Sequence, residues 1–217
     1  MSDSFPVTER TRVIREANRA VYDRETIYKI LDEAFVCHVG FAQEAQPFVI
    51  PTMFARIAGA IYFHGSAASR MLRGSSGGLP VCITVTLTDG LVLARSIFNH
   101  SMNYRSVVAL GNATLIDDPA EKIAALQAFT EKLIPGRWND ARQPNEKELK
   151  ATSILKLPLT EVSAKVRTGD VEDDADDYAL PVWAGVVPLR LVADPPIRDA
   201  RCDGSIPTPA YAAHYRR

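Results

Sequence analysis

Residues 62–72, with the sequence YFHGSAASRML, concentrate groups that could bind a phosphate. The first residues have an apolar strand pattern, and Gly65 then permits tight backbone geometry. A helix that begins after this glycine would offer unpaired amides and a favourable dipole to an anion. Ser66 and Ser69 can donate hydroxyl hydrogen bonds, and Arg70 can bind a phosphate through two nitrogens. The segment predicts a phosphate cradle; the alternative is an ordinary helix cap at Ser66 with Arg70 in solvent.

A second donor-rich stretch, NHSMNYRS, occupies residues 99–106 between two apolar strand patterns. Asn103, Tyr104, Arg105 and Ser106 could all face one anion or one edge of a polar heterocycle. We therefore interpret this stretch as a polar loop that contributes to a binding site. A plain connecting loop is the alternative, and the residues alone leave it open.

Residues 47–54 could lie beside a flat ligand. Pro51 lacks an amide donor, which predicts a sheet edge or a local bulge at this point. Backbone groups beside Thr52 would then be available to a planar ring, and Trp183 could stack on that ring. Packing of Trp183 in the core or in a dimer interface explains its presence equally well.

The charge of the chain is unevenly distributed. Lys and Arg number 25 and Asp and Glu number 26, but six of the acidic residues fall within residues 170–177, DVEDDADD. Without this acidic strap the remaining chain carries a formal charge of +5 instead of -1. Lys165 and Arg167 alternate on one strand just before the strap, so they either bind an anion or pair with acidic residues such as Asp173 and Asp174.

Several function classes find no support. The metal-ligating side chains are widely spaced: His38, His64, His100, His214, Cys37, Cys82 and Cys202. They form no CxxC, HxH or HExxH motif, so neither a metal site nor a disulfide framework is expected. Basic residues are not interleaved with exposed aromatic residues, which argues against nucleic acid. The polar N-terminus and the lack of an apolar run of about 20 residues predict a cytoplasmic protein that does not enter a membrane.

Hydrophobic patterns predict the elements that must position these residues. Helices are expected at 24–34 with Asp23 as its cap, at 118–134 with a capping box from Asp118 to Glu121, and at 145–151. A tight hairpin turn is expected at Asp89 and Gly90, because Asp-Gly suits positive φ angles. The expected strands are 35–41, 47–54, 60–66, 81–87, 91–98, 105–116, 154–167 with a break at Pro158, and 182–192. Such regular spacing predicts a barrel or a sandwich.

Four segments resemble the pyridoxamine-phosphate-oxidase-like split-barrel proteins that bind flavin nucleotides. These segments are HVGFAQEAQPFVIPT, IYFHGSAASRML, VCITVTLTDGLVLARSIFNHSMNYRSVV and ALPVWAGVVPLRL. Within that family the chain looks most like the 5-nitroimidazole-resistance, or Nim-type, proteins. The resemblance runs from Arg10 to Val192, and HGSAASRML and HSMNYRSVV are its most specific parts.

The resemblance implies a mainly β fold, with a six-stranded antiparallel split β-barrel of the FMN-binding type and helices packed outside. The barrel domain is expected over residues 25–193. The charged residues before it predict an N-terminal arm over 1–24, and the tail over 194–217, rich in Pro, Asp and Arg, is expected to be extended. The resemblance also implies a homodimer with FMN at the subunit interface. The residues expected to contact FMN are Ile50, Pro51, Thr52, His64, Gly65, Ser66, Ser69, Arg70, Tyr104, Arg105, Ser106, Lys165, Arg167 and Trp183. His64 is the catalytic candidate, because it best matches a histidine linked to activity in Nim-type proteins.

The function implied is an FMN-dependent oxidoreductase that passes electrons from a reduced donor to a small organic acceptor, for example a nitroaromatic compound. Two alternatives remain: a non-catalytic flavin carrier, and a haem-binding split barrel with His64 or His100 as axial ligand. The segment WAGVVPLRL departs from true pyridoxamine phosphate oxidases, because Arg190 is not part of an Arg-x-His arrangement. Oxidation of vitamin B6 is therefore not expected.

Overall fold

The computed structural model describes residues 3–64 and 78–216. Nine strands occur in these residues and form one antiparallel sheet. They are β1 Ala20–Val21, β2 Val36–Gln43, β3 Gln46–Ile57, β4 Ala60–His64, β5 Leu79–Leu93, β6 Ser101–Leu115, β7 Ile154–Pro158, β8 Glu161–Arg167 and β9 Gly185–Pro188. The helices are α1 Arg24–Glu33, α2 Pro119–Leu133, α3 Arg137–Asp140, α4 Glu146–Ala151 and α5 Ala210–Ala213.

Six of these strands close into a ring in the order β5, β6, β7, β4, β3 and β2, and the pairing of β2 with β5 completes it. One edge of β6 pairs with β5, while its other edge pairs with β8 from Tyr104 to Leu110 and with β7 at Thr114 and Leu115. Strands β1 and β9 extend the two open edges. The ring therefore splits at β6. This confirms the predicted split barrel with flanking helices.

Two hydrophobic clusters stabilise the barrel. The first fills its interior and includes Phe54 and Phe63, both fully buried. The second lies on the outer face of β3 and β4, where Ala55 and Tyr62 pack beneath Phe129 of α2. Because strand residues alternate between faces, β3 and β4 contribute to both clusters. Helix α2 therefore covers one outer patch of the barrel.

The tight turn predicted at Asp89 and Gly90 is wrong. Strand β5 continues through these residues, and its pairing with β6 has a bulge between Thr88 and Gly90. A Cβ atom at Gly90 would lie 3.1 Å from both Val186 Cγ1 and the Val187 carbonyl oxygen. Glycine is therefore needed here for the close approach of β9, and the same dipeptide that suits a turn also suits a bulge.

Two further boundaries differ from the predictions. The polar stretch 99–106 is not a loop, because β6 already begins at Ser101 and its donors alternate along a strand. The final strand spans only Gly185–Pro188, since it pairs with β5 only from Gly90 to Leu93. The break expected at Pro158 is confirmed, and it divides β7 from β8.

Helix caps follow the sequence closely. Asp23 accepts a hydrogen bond from the Thr26 amide at 2.7 Å, and Asp118 accepts from the amides of Ala120 and Glu121. Glu121 does not complete the predicted capping box. Its Oε1 instead accepts hydrogen bonds from Tyr62 Oη at 2.7 Å and from Lys156 Nζ at 2.8 Å. The first turn of α2 is thereby fastened to β4 and β7.

The acidic strap is anchored by one carboxylate. The Asp173 side chain is fully buried, and it accepts hydrogen bonds from the backbone amides of Arg95 and Ser96 and from the Arg95 guanidinium. Burial alone would raise the pKa of Asp173, but these hydrogen bonds lower it below its usual value. The strap is thus tied to the connection between β5 and β6.

We expect the Asp118→Ala substitution to lower the free energy of unfolding by about 1 kcal/mol, because it leaves two amides at the start of α2 without their acceptor. Urea denaturation followed by circular dichroism measures this change. The neighbouring Asp117→Ala variant is the control, since Asp117 is not the cap of α2. Equal stabilities of the two variants would contradict the capping role.

Candidate functional site

His64 lies at the end of β4 and points away from the barrel interior. Its neighbours Ile61 and Phe63 are fully buried inside, so Tyr62 and His64 face outward beneath α2. The His64 ring lies 4.8 Å from the Phe129 ring, measured between centroids. Burial lowers the pKa of His64 below its usual value, which keeps the imidazole neutral near pH 7. A neutral imidazole has a lone pair available for a metal.

His64 lines a cavity of about 600 Å³ between the outer face of the barrel and α2. We call this the His64 cavity. Its apolar wall is formed by Met53, Leu126, Phe129, Leu133 and Ile134. Among the described residues no group of three His, Cys, Asp or Glu side chains is placed to hold a metal ion. A metal at His64 would therefore have to bring most of its own ligands, as a metal in a flat organic macrocycle does.

Two arginines lie at the rim of the His64 cavity. Arg142 pairs with Glu148 through nitrogen–oxygen contacts of 2.7 and 3.0 Å. The Arg142 hydrogen bonds, helped by the Asn145 backbone amide, lower the pKa of Glu148 to about 2. Arg137 donates from Nη1 to Tyr211 Oη at 3.0 Å, which joins α3 to α5. Both guanidiniums could turn toward carboxylates of a bound ligand.

A second concave region, of about 720 Å³, lies on the outer face of β2 and β5. We call this the outer groove. Its floor includes Val36, His38, Thr86 and Thr88, and the segment 189–192 after β9 forms its wall. His38 faces outward because Cys37 and Val39 on either side are fully buried in the core. The groove is therefore part hydroxyl-rich and part apolar, as a planar heterocycle requires.

Arg105 closes one end of the outer groove. It donates to Asp89 from Nε at 2.9 Å and from Nη2 at 2.7 Å, and it also pairs with both carboxylate oxygens of Glu33. The hydrogen bonds that Arg105 donates to Asp89, and then those to Glu33, raise the pKa of Arg105 above its usual value. Two carboxylates already compensate this guanidinium, and the contact with FMN expected for Arg105 stays a prediction.

The VIPT segment is divided between the two faces of β3. Ile50 packs against the barrel core, whereas Pro51 is exposed on the outer face opposite His38. Thr52 donates from Oγ1 to the His64 carbonyl oxygen at 2.8 Å. Of these three residues, Pro51 is therefore the one whose side chain continues the floor of the outer groove.

The register of β6 and β8 brings four of the expected residues together. Tyr104 lies opposite Arg167, and Ser106 lies opposite Lys165, so all four share the outer face that contains Thr86 and Thr88. This polar strip extends from the outer groove toward the sheet edge at β8. The groove and the strip therefore lie on one face of the sheet.

The two basic residues of β8 have partners other than strap carboxylates. Lys165 donates from Nζ to the Arg15 carbonyl oxygen at 3.0 Å. Arg167 is only 7 % exposed, and its guanidinium donates to Asn103 Oδ1 at 2.5 Å and to the Asp170 carbonyl oxygen at 3.3 Å. The strap thus contacts Arg167 through a backbone oxygen, while its Asp173 carboxylate pairs with Arg95.

The remaining candidates lie elsewhere. Trp183 is 68 % exposed and its ring packs against Gly185, where a Cβ atom would meet it at 3.0 Å. Gly65, Ser66, Ser69 and Arg70, the predicted phosphate cradle, lie outside the described residues.

Met53 and His38 are among the residues of these sites that the motif reasoning missed. Met53 lines the His64 cavity, and His38 lies in the outer groove. The signal for His38 is the alternation VCHVGF, in which the apolar residues at 37, 39 and 41 point inward and leave His38 outside. The same alternation places Met53 on the outer face, because its neighbour Phe54 lies in the core.

We expect the stability of the protein to fall as the pH drops below about 6.5, the usual pKa of histidine. The pKa of His64 is lowered in the folded state, so the unfolded chain binds a proton first and gains from acidification. Chemical denaturation at pH 7.5 and 5.5 measures the difference. The His64→Leu variant should lose part of this pH dependence, and an unchanged dependence would contradict the burial of a neutral imidazole.

Comparisons with known proteins agree with this architecture. Residues 23–166 match the model of the pyridoxamine 5'-phosphate oxidase family. The flavocytochrome Anf3 from Azotobacter vinelandii is 44 % identical, with a TM-score of 0.88 over 94 % of this chain and 95 % of that one. A FAD and haem binding protein from Mycobacterium smegmatis is 32 % identical, with a TM-score of 0.84 over 92 % of this chain and all of that one.

A putative 5-nitroimidazole antibiotic resistance protein from Bacteroides thetaiotaomicron shares the fold at 24 % identity, with a TM-score of 0.53 over 68 % of this chain and 86 % of that one. No curated protein matches the sequence. No helix in the described part of the chain is long and apolar enough to cross a membrane. The family model covers well over half of the chain, and the chain therefore belongs to the pyridoxamine 5'-phosphate oxidase family of split barrels.

Proposed function

We propose that this protein is a two-cofactor redox protein, with a flavin in the outer groove and a haem in the His64 cavity. It would take electrons from a reduced donor and deliver them to a small organic acceptor, for example a nitroaromatic compound. The observation that carries the proposal is the His64 cavity, a second site separate from the outer groove. Support comes from the relatives at 44 % and 32 % identity, which are described as a flavocytochrome and a FAD and haem binding protein.

The donor set of the His64 cavity suits a haem. His64 supplies a neutral imidazole, the common protein ligand of haem iron. The apolar wall around Phe129 and Leu133 matches the hydrophobic faces of a porphyrin and keeps water away from it. Arg137 and Arg142 at the rim provide cations for the two carboxylates that a haem carries. No other residue needs to contribute a metal ligand for this cofactor to bind.

The outer groove suits the ring of a flavin. When bound, the flavin supplies the capacity to accept a hydride and release single electrons, while the protein supplies binding and orientation. Thr86, Thr88 and His38 offer hydrogen-bonding groups to the ring edge, and Leu189 and Leu191 offer apolar contact. We propose FMN on the resemblance to flavin-nucleotide-binding proteins; the mass of the flavin released on denaturation distinguishes it from FAD.

An absorption spectrum tests the proposal directly. The protein purified from cells supplied with a haem precursor should show flavin bands together with a Soret band. The His64→Ala variant should lose the Soret band, with haem affinity reduced by roughly 100-fold, and keep the flavin bands. His100→Ala is the matched control, because His100 contacts the Ser96 carbonyl oxygen and lies in neither cavity. A Soret band that survives in His64→Ala would contradict the assignment.

Reduction kinetics separate an oxidoreductase from a flavin carrier. We expect NADH, NADPH or a reduced deazaflavin to bleach the flavin bands in a stopped-flow experiment, and a nitroaromatic acceptor to restore them. A bound flavin that none of these donors reduces would favour the non-catalytic carrier.

We further propose a homodimer located in the cytoplasm. Large apolar side chains are exposed around β9, among them Trp183, Val187 and Leu191, and such a patch is typical of an interface. Cys37, Cys82 and Cys202 are unpaired, as is usual in a reducing compartment. Sedimentation analysis should give twice the chain mass of 23.8 kDa, and the Leu191→Lys variant should shift the equilibrium toward the monomer. A wild-type mass equal to one chain would contradict the dimer.

A further inference from the structure

The His64 cavity and the outer groove meet at one pair of residues. Val36 on β2 lies directly opposite Met53 on β3. Val36 lines the outer groove and Met53 lines the His64 cavity. Residues opposite each other on antiparallel strands point to the same face, with Cβ atoms about 5 Å apart. Among the described residues, this cross-strand pair therefore joins the lining of one site to the lining of the other.

We propose that the Val36–Met53 pair is the contact through which electrons pass between a flavin in the groove and a haem at His64. The inference rests on the proposed function, because it requires both sites to be occupied. Each transfer removes one electron from the reduced flavin and converts one ferric haem iron to the ferrous form. A flavin reduced by a hydride donor makes two such transfers, with the iron reoxidised by the acceptor between them. The protons that the flavin gives up pass to water.

Met53 lies beside His64 on the same face of the sheet. The pairing of Phe54 with Phe63 places the next residues, Met53 and His64, side by side on the outer face of β3 and β4. Two side chains that leave one sheet face from neighbouring positions approach a flat ring from the same side. The Met53 thioether therefore packs beside the imidazole, as a polarizable apolar group at the boundary between the sites.

The pair is also well placed to exclude water. Val36 and Met53 are both apolar, and the next outward residue on β3 is Pro51, which faces His38 across the strands. Val36 is 48 % exposed, so a ligand in the outer groove would cover it and remove the solvent that otherwise weakens the coupling between donor and acceptor. Truncating either side chain would open a gap in this contact while leaving the backbone of the barrel intact.

Binding measurements on the apoprotein test which site each residue lines. Val36→Trp should weaken flavin binding at least severalfold and leave haem binding unchanged. Met53→Trp should weaken haem binding and leave flavin binding unchanged. Flavin fluorescence and the Soret absorbance, recorded in titrations with free flavin and with hemin, give the two affinities. If both substitutions affect the same cofactor, the pair does not join the two sites.

Flash photoreduction of the flavin in the loaded protein tests the electron path. The haem should then be reduced at a rate independent of protein concentration, as an intramolecular transfer requires. Measured with both sites saturated with cofactor, Val36→Ala and Met53→Ala should slow this rate severalfold, and Met53→Leu, which conserves volume, should retain it. Val49→Ala is the control, because Val49 is an exposed outward residue of β3 that lines neither site.

The outcomes are separable. Wild-type rates in both alanine variants, with both chromophores present, would overturn the electron path and leave the proposed function intact. Equal slowing in Val49→Ala would show that any truncation on β3 acts through the barrel, and would overturn the path as well. A wild-type protein that binds only one chromophore would overturn the two-cofactor function and this inference with it.

Discussion

The register of β2 between β3 and β5 is the constraint on which the rest of the structure depends. His38 faces Pro51 on one side and Thr84 on the other, and these two ladders close the ring. The same register directs Cys37, Val39 and Phe41 into the core. A slip of one residue would turn this apolar set outward and bring His38 inside, so the hydrophobic effect fixes the register strongly.

The outer face of the sheet has two concavities because other elements cover part of it. Helix α2 packs over β3 and β4, and the segment after β9 runs past β2 and β5, so that each leaves a concavity against the sheet. Glu121 fastens the start of α2 through Tyr62 and Lys156, while Asp173 holds the connection that precedes β6. The sheet therefore forms the floor of both concavities, and the contacts of Glu121 secure the helix that walls the His64 cavity.

The sequence predicted local features well, because local chemistry determines them. The caps at Asp23 and Asp118 and the break at Pro158 follow from side-chain and backbone properties of the residues themselves. The bulge at Gly90 could not be predicted, because it depends on β9, almost 100 residues later. The pairing of Arg105 with Glu33 had no local signal either, because the two residues are 72 positions apart and only the closed barrel brings them together. The His64 cavity likewise requires α2 to return to a strand that precedes it.

Ring closure has a consequence for the order of folding. The β5–β6 hairpin pairs over most of its length across a short connection. Ring closure also requires β2 to find β5 across 46 residues, counted from His38 to Thr84, and β4 to find β7 across 98 residues, counted from Ala60 to Pro158. Contacts of such sequence separation form late, since loop entropy is lost before they contribute. Both concavities include residues on or beside β2. A chain with an unclosed ring would therefore have neither concavity, and acquisition of a chromophore at either proposed site would report ring closure.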